Sequence, residues 1–219
     1  MAESIRWDWL ERHRDDLVRL TLEHVQLTVV SVGIAVAIAI PVGIAVRNRP
    51  IPFLAAGLIA DVLYTIPSIA LFAFLLPFTG IGATPAIVGL VAYALTMLIR
   101  NTVVGLRAVP RPVRDAALGM GLTARQTLVR VELPLALPAI FAGIRLATVS
   151  TVGIATIAAF VDGGGLGELI LNDGIQRQMF LTPILAGTVI ATVLALTLDA
   201  VLIVVERRLT PWTRARGAT

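Results

Sequence analysis

The 219-residue sequence predicts an all-α, polytopic membrane protein with five transmembrane helices. Three observations carry that expectation: hydrophobic residues make up 57% of the chain against 15% charged, mean hydropathy is +0.89, and apolar runs of spanning length alternate with short segments that hold most of the arginines. A soluble chain of this size needs a charged skin around one core, so the balance indicates lipid as the solvent. All 18 basic residues are arginine, against 14 acidic ones. Their placement between apolar runs follows the positive-inside rule and calls for no nucleic acid. The absence of cysteine excludes disulfides, thiolate metal sites and a cysteine nucleophile.

About 20 apolar residues cross a bilayer as a helix, which satisfies its own backbone hydrogen bonds. Residues 1–21 precede the first such run; Trp9, Leu10, Leu17 and Leu20 lie there among charges, and Trp7 to Leu20 is expected to form an amphipathic helix at the outer interface. The first span is expected from Leu22 to Val46, retained rather than cleaved because the run has spanning length and arginines follow it. The second is expected from Phe53 to Leu76, interrupted by Asp61, and the third from Gly82 to Ile99, with Pro77, Gly80, Gly82 and Pro85 breaking the stretch between them. The fourth runs from Leu135 to Phe160 around Arg145, the fifth from Leu181 to Val205 around Asp199. The membrane domain thus covers residues 22–205, and 206–219 form a tail. Arginines cluster at 47–49, 100–130 and 207–216, which places those three segments and the tail in the cytoplasm and the N-terminus outside.

The segment between spans three and four is the most informative. Asp115-Ala116-Ala117, three residues, Gly121, nine residues and Val131-Glu132-Leu133-Pro134 follow one another there. Pro112 suits a first helical turn, and Ala116, Ala117 and Leu118 propagate a helix. Gly121 can take the left-handed conformation that ends it. Thr123 and Gln126 have capping-box spacing, so a second short helix is expected from Thr123-Ala124-Arg125 to about Arg130. Leu133-Pro134 should close it, because proline lacks a donor and biases its predecessor away from helix.

This spacing resembles the EAA motif of ABC importer permeases, with Asp for Glu at 115 and Val for Ile at 131. Tyr64-Thr65-Ile66-Pro67-Ser68, Gly143 to Thr148 and Ala159 to Gly167 look like segments of the osmoprotectant branch, whose members import glycine betaine, carnitine or choline. The resemblance implies the type I ABC importer permease fold, with a coupling region at 112–134 seated in an ATPase subunit. In that region Asp115, Ala116, Ala117, Gly121, Leu122, Thr123, Ala124, Arg125, Gln126, Leu133 and Pro134 are the expected coupling residues. It also implies a multi-pass protein of the bacterial inner membrane that is no enzyme, has no cofactor of its own, and leaves ATP and Mg to a pair of ATP-binding subunits. A second permease, identical or homologous, and an external solute-binding protein complete the implied assembly. An amino-acid permease and an ATP-independent channel or transporter are the alternatives; the channel would have no reason to keep the elbow.

A charge at mid-membrane costs about 2.5 to 3.5 kcal/mol on insertion scales, so Asp61, Arg145 and Asp199 each need a partner or water. Counted from the inner ends they fall in one layer, roughly 12 to 18 Å deep at 1.5 Å per residue. Arg145 is therefore expected to pair with Asp61 or Asp199, as a static clamp or as a pair that breaks when the pore switches. Arg145, Thr148, Val152 and Thr156 share one helical face. That face either lines the path or, with Gly143 and Gly153, allows close packing. Tyr64, Pro67 and Ser68 are further candidates for the path, and Tyr64, Tyr93 or Phe72 suit a quaternary ammonium.

The run Gly163-Gly164-Gly165-Leu166-Gly167 follows a span with no strand before it, so it is not a nucleotide fingerprint. A flexible turn beneath the docked binding protein is expected instead. His13 and His24 have no carboxylates at metal-ligand spacing, so they are expected to be interfacial and no metal site is expected. Trp7, Trp9 and Trp212 are placed as interface anchors.

Overall fold

The computed structural model describes residues 5–212, and these contain helices and turns with no strand among them. Among the described residues nine α-helices form in chain order: α1 Trp7–Arg12, α2 Arg14–Val46, α3 Pro50–Thr65, α4 Ser68–Thr79, α5 Ala83–Arg107, α6 Arg111–Gly119, α7 Ala124–Thr127, α8 Leu133–Ala155 and α9 Leu181–Leu209. Four stretches of the described residues are long and apolar enough to cross a membrane: α2, α5, the continuous Ala124–Val161 rod that contains α8, and α9. The pair α3 and α4 passes the same test jointly, but the two are bent by 99° at the break between them.

That bend departs from the straight second span expected from Phe53 to Leu76. Pro67 has no N–H to donate and holds its predecessor out of the helical region, so Ile66 is extended at φ −69°, ψ 128°. Pro67 itself is non-helical at φ −56°, ψ 133°, and the helix restarts at Ser68. The α4–α5 break is made by Gly80 and Gly82, both at positive φ. Pro77, expected to share in it, sits inside α4, and Pro85 lies inside α5 near its start.

The N-terminal segment also differs from expectation. One helix does not run from Trp7 to Leu20; the chain turns at His13 (φ −108°, ψ 23°), and residues 14–20 continue directly into the first span. Trp9 is not an exposed anchor. It is buried, stacked 4.2 Å from His13 and edge-on to Phe180 at 5.8 Å. Trp7, by contrast, is 70% exposed. At the other terminus α9 continues past Val205 to Leu209; Arg214 and Arg216 lie outside the described residues.

The core sits where α5 packs between α2 and α8. Ala35, Ala39, Ala94, Leu98 and Ala147 are buried together there, with Leu106, Ala136 and Ile140 below them at the α6 end. Small residues set the approach: a Cβ on Gly143 would lie 2.6 Å from the Asn101 Cβ, so α5 and α8 could not hold this spacing with alanine there. Gly153, expected to act alike, faces open space.

Candidate functional site

Between α5 and α8 the chain folds into an elbow. Helix α6 ends at Gly119, and Gly121 stands at φ +87°, where a Cβ would be strained even though the space beside it is open. Thr123 then caps α7 reciprocally: its hydroxyl accepts from the Gln126 N–H at 3.3 Å, and its own N–H donates to Gln126 Oε1 at 2.8 Å. Asp115, Ala116, Gly121, Thr123, Ala124, Arg125 and Gln126 are exposed, Leu122 is half-buried, and Ala117 is buried beneath them. Leu118 and Met120 add exposed apolar surface at the turn.

The second arm does not end at Leu133-Pro134 as the sequence suggested. Residues Leu128–Glu132 form a π-helical turn in which the Leu133 N–H reaches back to the Leu128 carbonyl, and α8 follows without a break. The wider ring gives the Pro134 pyrrolidine room against the preceding turn, which removes the clash that ordinarily ends a helix. The second arm of the elbow is therefore continuous with the fourth span, a stretch of 38 residues from Ala124 to Val161.

Glu132, which the sequence reading passed over, is buried at this junction. Arg47 Nε lies 3.4 Å from one carboxylate oxygen and Arg114 Nε 3.3 Å from the other. The available signal was a carboxylate in a segment otherwise rich in arginine.

Of the three intramembrane charges, Arg145 pairs with Asp199. Its Nε and Nη2 donate to the two carboxylate oxygens at 2.7 and 3.0 Å, with Glu206 at 3.9 Å behind them. This bidentate pair ties α8 to α9. Asp61 does not reach Arg145; it is bonded to Arg100 of α5. The sequence placed Arg100 at a span end, and only the antiparallel packing of α3 on α5 reveals the contact.

That packing forms a ladder. Arg107 lies over the Phe53 ring at 4.4 Å, Asp61 meets Arg100, Thr96 donates to the Ala60 carbonyl at 2.8 Å, and Tyr64 meets Tyr93 edge-on at 5.8 Å. Tyr93 also donates its hydroxyl to the Ile66 carbonyl at the bend, at 2.5 Å. Tyr64 and Pro67 are exposed and Ser68 is half-buried, whereas Phe72 is wholly buried and unavailable to a ligand. Thr148 is buried with its hydroxyl bonded to the Ile144 carbonyl, so it lines no open surface here. Thr156 borders a groove with Thr188 and Thr192 between α8 and α9.

At the opposite end of the bundle the glycine run is not a loose turn. The Gly165 N–H donates to Glu23 Oε2 at 3.1 Å and the Leu166 N–H to His24 Nδ1 at 3.2 Å. His24 Nε2 donates to the Val152 carbonyl at 3.0 Å, and the residue is fully buried, not interfacial. This pattern fixes the neutral Nε2–H tautomer, since Nδ1 must accept. Gly167 packs so tightly that a Cβ would overlap the Thr156 carbonyl oxygen. Among the described residues no group of His, Asp and Glu is arranged to hold a metal ion.

Comparison with known proteins places these features in context. Residues 32–211 match the family described as binding-protein-dependent transport system inner membrane component. The chain is 37% identical over 207 residues to the choline transport system permease protein OpuBB of Bacillus subtilis, with 93% of each chain covered. It is 40% identical over 205 residues to the osmoprotectant import permease protein OsmW of Salmonella typhimurium, covering 89% of this chain and 92% of that one. Among solved structures, a chain of the inward-facing MetNI methionine ABC transporter superposes with a TM-score of 0.82 at 26% identity, covering 91% of this chain and 99% of that one. An amino acid ABC transporter superposes at 0.78 with 18% identity, covering 94% and 100%, which speaks for the fold alone.

Proposed function

This chain belongs to the family of binding-protein-dependent transport system inner membrane components, and from that premise we propose that it is the permease of an ATP-driven importer for a quaternary ammonium osmoprotectant. A permease of this family is a conduit and not an enzyme. ATP and Mg belong to a pair of ATP-binding subunits, an external binding protein delivers the solute, and a second permease, identical or homologous, completes the path. The solute class follows the relatives: those named for choline and for osmoprotectants are 37% and 40% identical, against 26% for the methionine transporter chain.

The elbow is the observation that carries the reading. A capped, exposed two-helix knob, with Leu118 and Met120 beside it, is continuous through a π turn with the fourth span. Such a knob suits seating in a groove of a soluble subunit, and the rod behind it suits transmission of a push. In this arrangement the knob and the C-terminus face the cytoplasm and the N-terminus lies outside.

The path runs along the α3/α5 ladder. A half-exposed ion pair is costly against lipid, and Arg100 and Asp61 are 55% and 39% exposed. Tyr64 adds an exposed aromatic face suited to a quaternary ammonium. The Arg145–Asp199 pair, shared between two packed helices, acts as a clamp, with no switching required.

Pull-down tests the reading. Complexes carrying wild-type chain should retain an ATPase, and Asp115→Arg combined with Gly121→Pro should lose it together with solute uptake. Uptake that persists in those variants, or that needs no ATP, would establish a channel or ATP-independent transporter instead.

A further inference from the structure

We propose that Glu132 is the positioning residue that links movement of the elbow to the first span, through a three-way ion junction with Arg114 and Arg47. This inference rests on the proposed role of the elbow and names the residue that carries its movement onward. Glu132 lies in the π turn, Arg114 in α6 of the knob, and Arg47 caps the end of α2. The two guanidinium groups approach opposite oxygens of one carboxylate at 3.3 and 3.4 Å. Its side chain is only 10% exposed.

Each arm of the junction is tied to a span. The Arg114 Nη2 donates to the Leu106 carbonyl near the end of α5. The Arg47 Nη1 donates to the Ile44 carbonyl at 2.6 Å, and Arg107 of α5 donates to the Arg47 carbonyl at 2.9 Å. A displacement of the knob therefore cannot leave α2 unaffected while Glu132 holds both arginines. Without the carboxylate, two partly buried cations would repel each other across the same space.

Glu132 Oε2, Arg114 Nε and the hydroxyl of Thr127, one helical turn before Glu132, are buried without a hydrogen-bond partner. Charge-assisted bonds close at about 2.7–2.9 Å, so both ion contacts have room to tighten. A π turn supplies the local slack, and such turns recur at functional joints. The pairs at 3.3 and 3.4 Å thus bring the knob, the π turn and the end of α2 together at one carboxylate.

The experiment uses the whole importer in proteoliposomes, with radiolabelled glycine betaine and choline as probes. Glu132→Gln keeps the shape and removes the charge. The expected result is that the variant retains its ATPase and goes on hydrolysing ATP while solute moved per ATP falls about tenfold or more, the scale of a coupling interaction. Arg47→Gln should reproduce that loss from the other end of the link, and the double variant should be no worse than either single one. Should Glu132→Gln fail to accumulate, Arg47→Gln carries the test. An unchanged ratio of solute to ATP in the variants overturns the proposal. So does loss of bound ATPase in proportion to uptake, since Glu132 would then only build the knob. A wild-type complex that retains no ATPase would instead overturn the functional reading itself.

Discussion

The two ends of the bundle each carry a glycine-bearing connection between spans, and they are built on opposite principles. At the elbow, Gly121 turns the chain in open space and the fold is held by neighbours: Thr123 with Gln126, and Leu122 N–H with the Ala117 carbonyl at 3.2 Å. At the other end, Gly163 to Gly167 are pressed into the bundle and held from afar, the Gly165 and Leu166 N–H groups bonding to Glu23 and His24 in α2, 142 residues away. A self-contained knob can move as a unit against a partner. A turn clamped by a distant helix moves only if that helix moves.

The contrast can be broken by substitution, and the largest effect is expected at Gly167. Gly167→Ala sets a side chain against a backbone oxygen that cannot turn aside, so the cost should exceed the usual overpacking range of about 1–3 kcal/mol. The readout is the yield of monodisperse protein in detergent; normal yield would show the outer turn to be soft. His24→Leu should cost about 1–3 kcal/mol by leaving the buried Leu166 N–H without an acceptor. It is read as a lowered thermal midpoint together with faster hydrogen exchange at residues 165–169, and exchange unchanged there would dissolve the clamp.

Thr123→Ala sharpens the other half of the comparison. Loss of one cap costs about 1 kcal/mol, and because the elbow is local the faster exchange should stay within residues 119–128. Spread of the effect to the far end would contradict a self-contained knob.

The smallest effect concerns pH. Burial first, and then the neighbouring Glu23 carboxylate, push the Glu168 carboxyl above its ordinary range, with Arg19 opposing and Asp162 and Asp173 adding to the rise. A raised folded-state value means the folded turn holds this proton more tightly than the unfolded chain. Its contribution is therefore complete below the ordinary glutamate range and fades as pH rises through the raised value. Exchange corrected for intrinsic rates should show the wild-type turn gaining protection over that window on acidification, relative to its own protection at neutral pH, by a little more than Glu168→Gln does. Identical pH profiles would remove Glu168 from the account.

Much of this molecule was legible from local pattern. Apolar run length and arginine placement located the apolar runs, and the Thr123–Gln126 spacing specified a cap that the backbone adopts; the bend at Pro67 was not anticipated, although an X-Pro step inside an apolar run was its available signal. Proline at 134 misled, because the same residue ends a helix in an α register and is tolerated after a π turn, and nothing local distinguishes the two. The glycine run misled for a related reason: glycine reads equally as slack and as close approach until the neighbouring surface is known.

What the sequence determined alone was the solvent of the protein, the approximate places of its apolar runs, and the capped turn of the elbow, all consequences of interactions within a few residues along the chain. Only the tertiary structure decided which charges meet. Arg145 had two carboxylates at one depth and takes Asp199, Asp61 takes Arg100, and Glu132 gathers Arg47 and Arg114. Depth in a membrane follows from counting residues, but the partner of a charge depends on which helix faces rotate toward each other. That rotation is set by the packing of α5 between α2 and α8, a property of the whole bundle rather than of any segment.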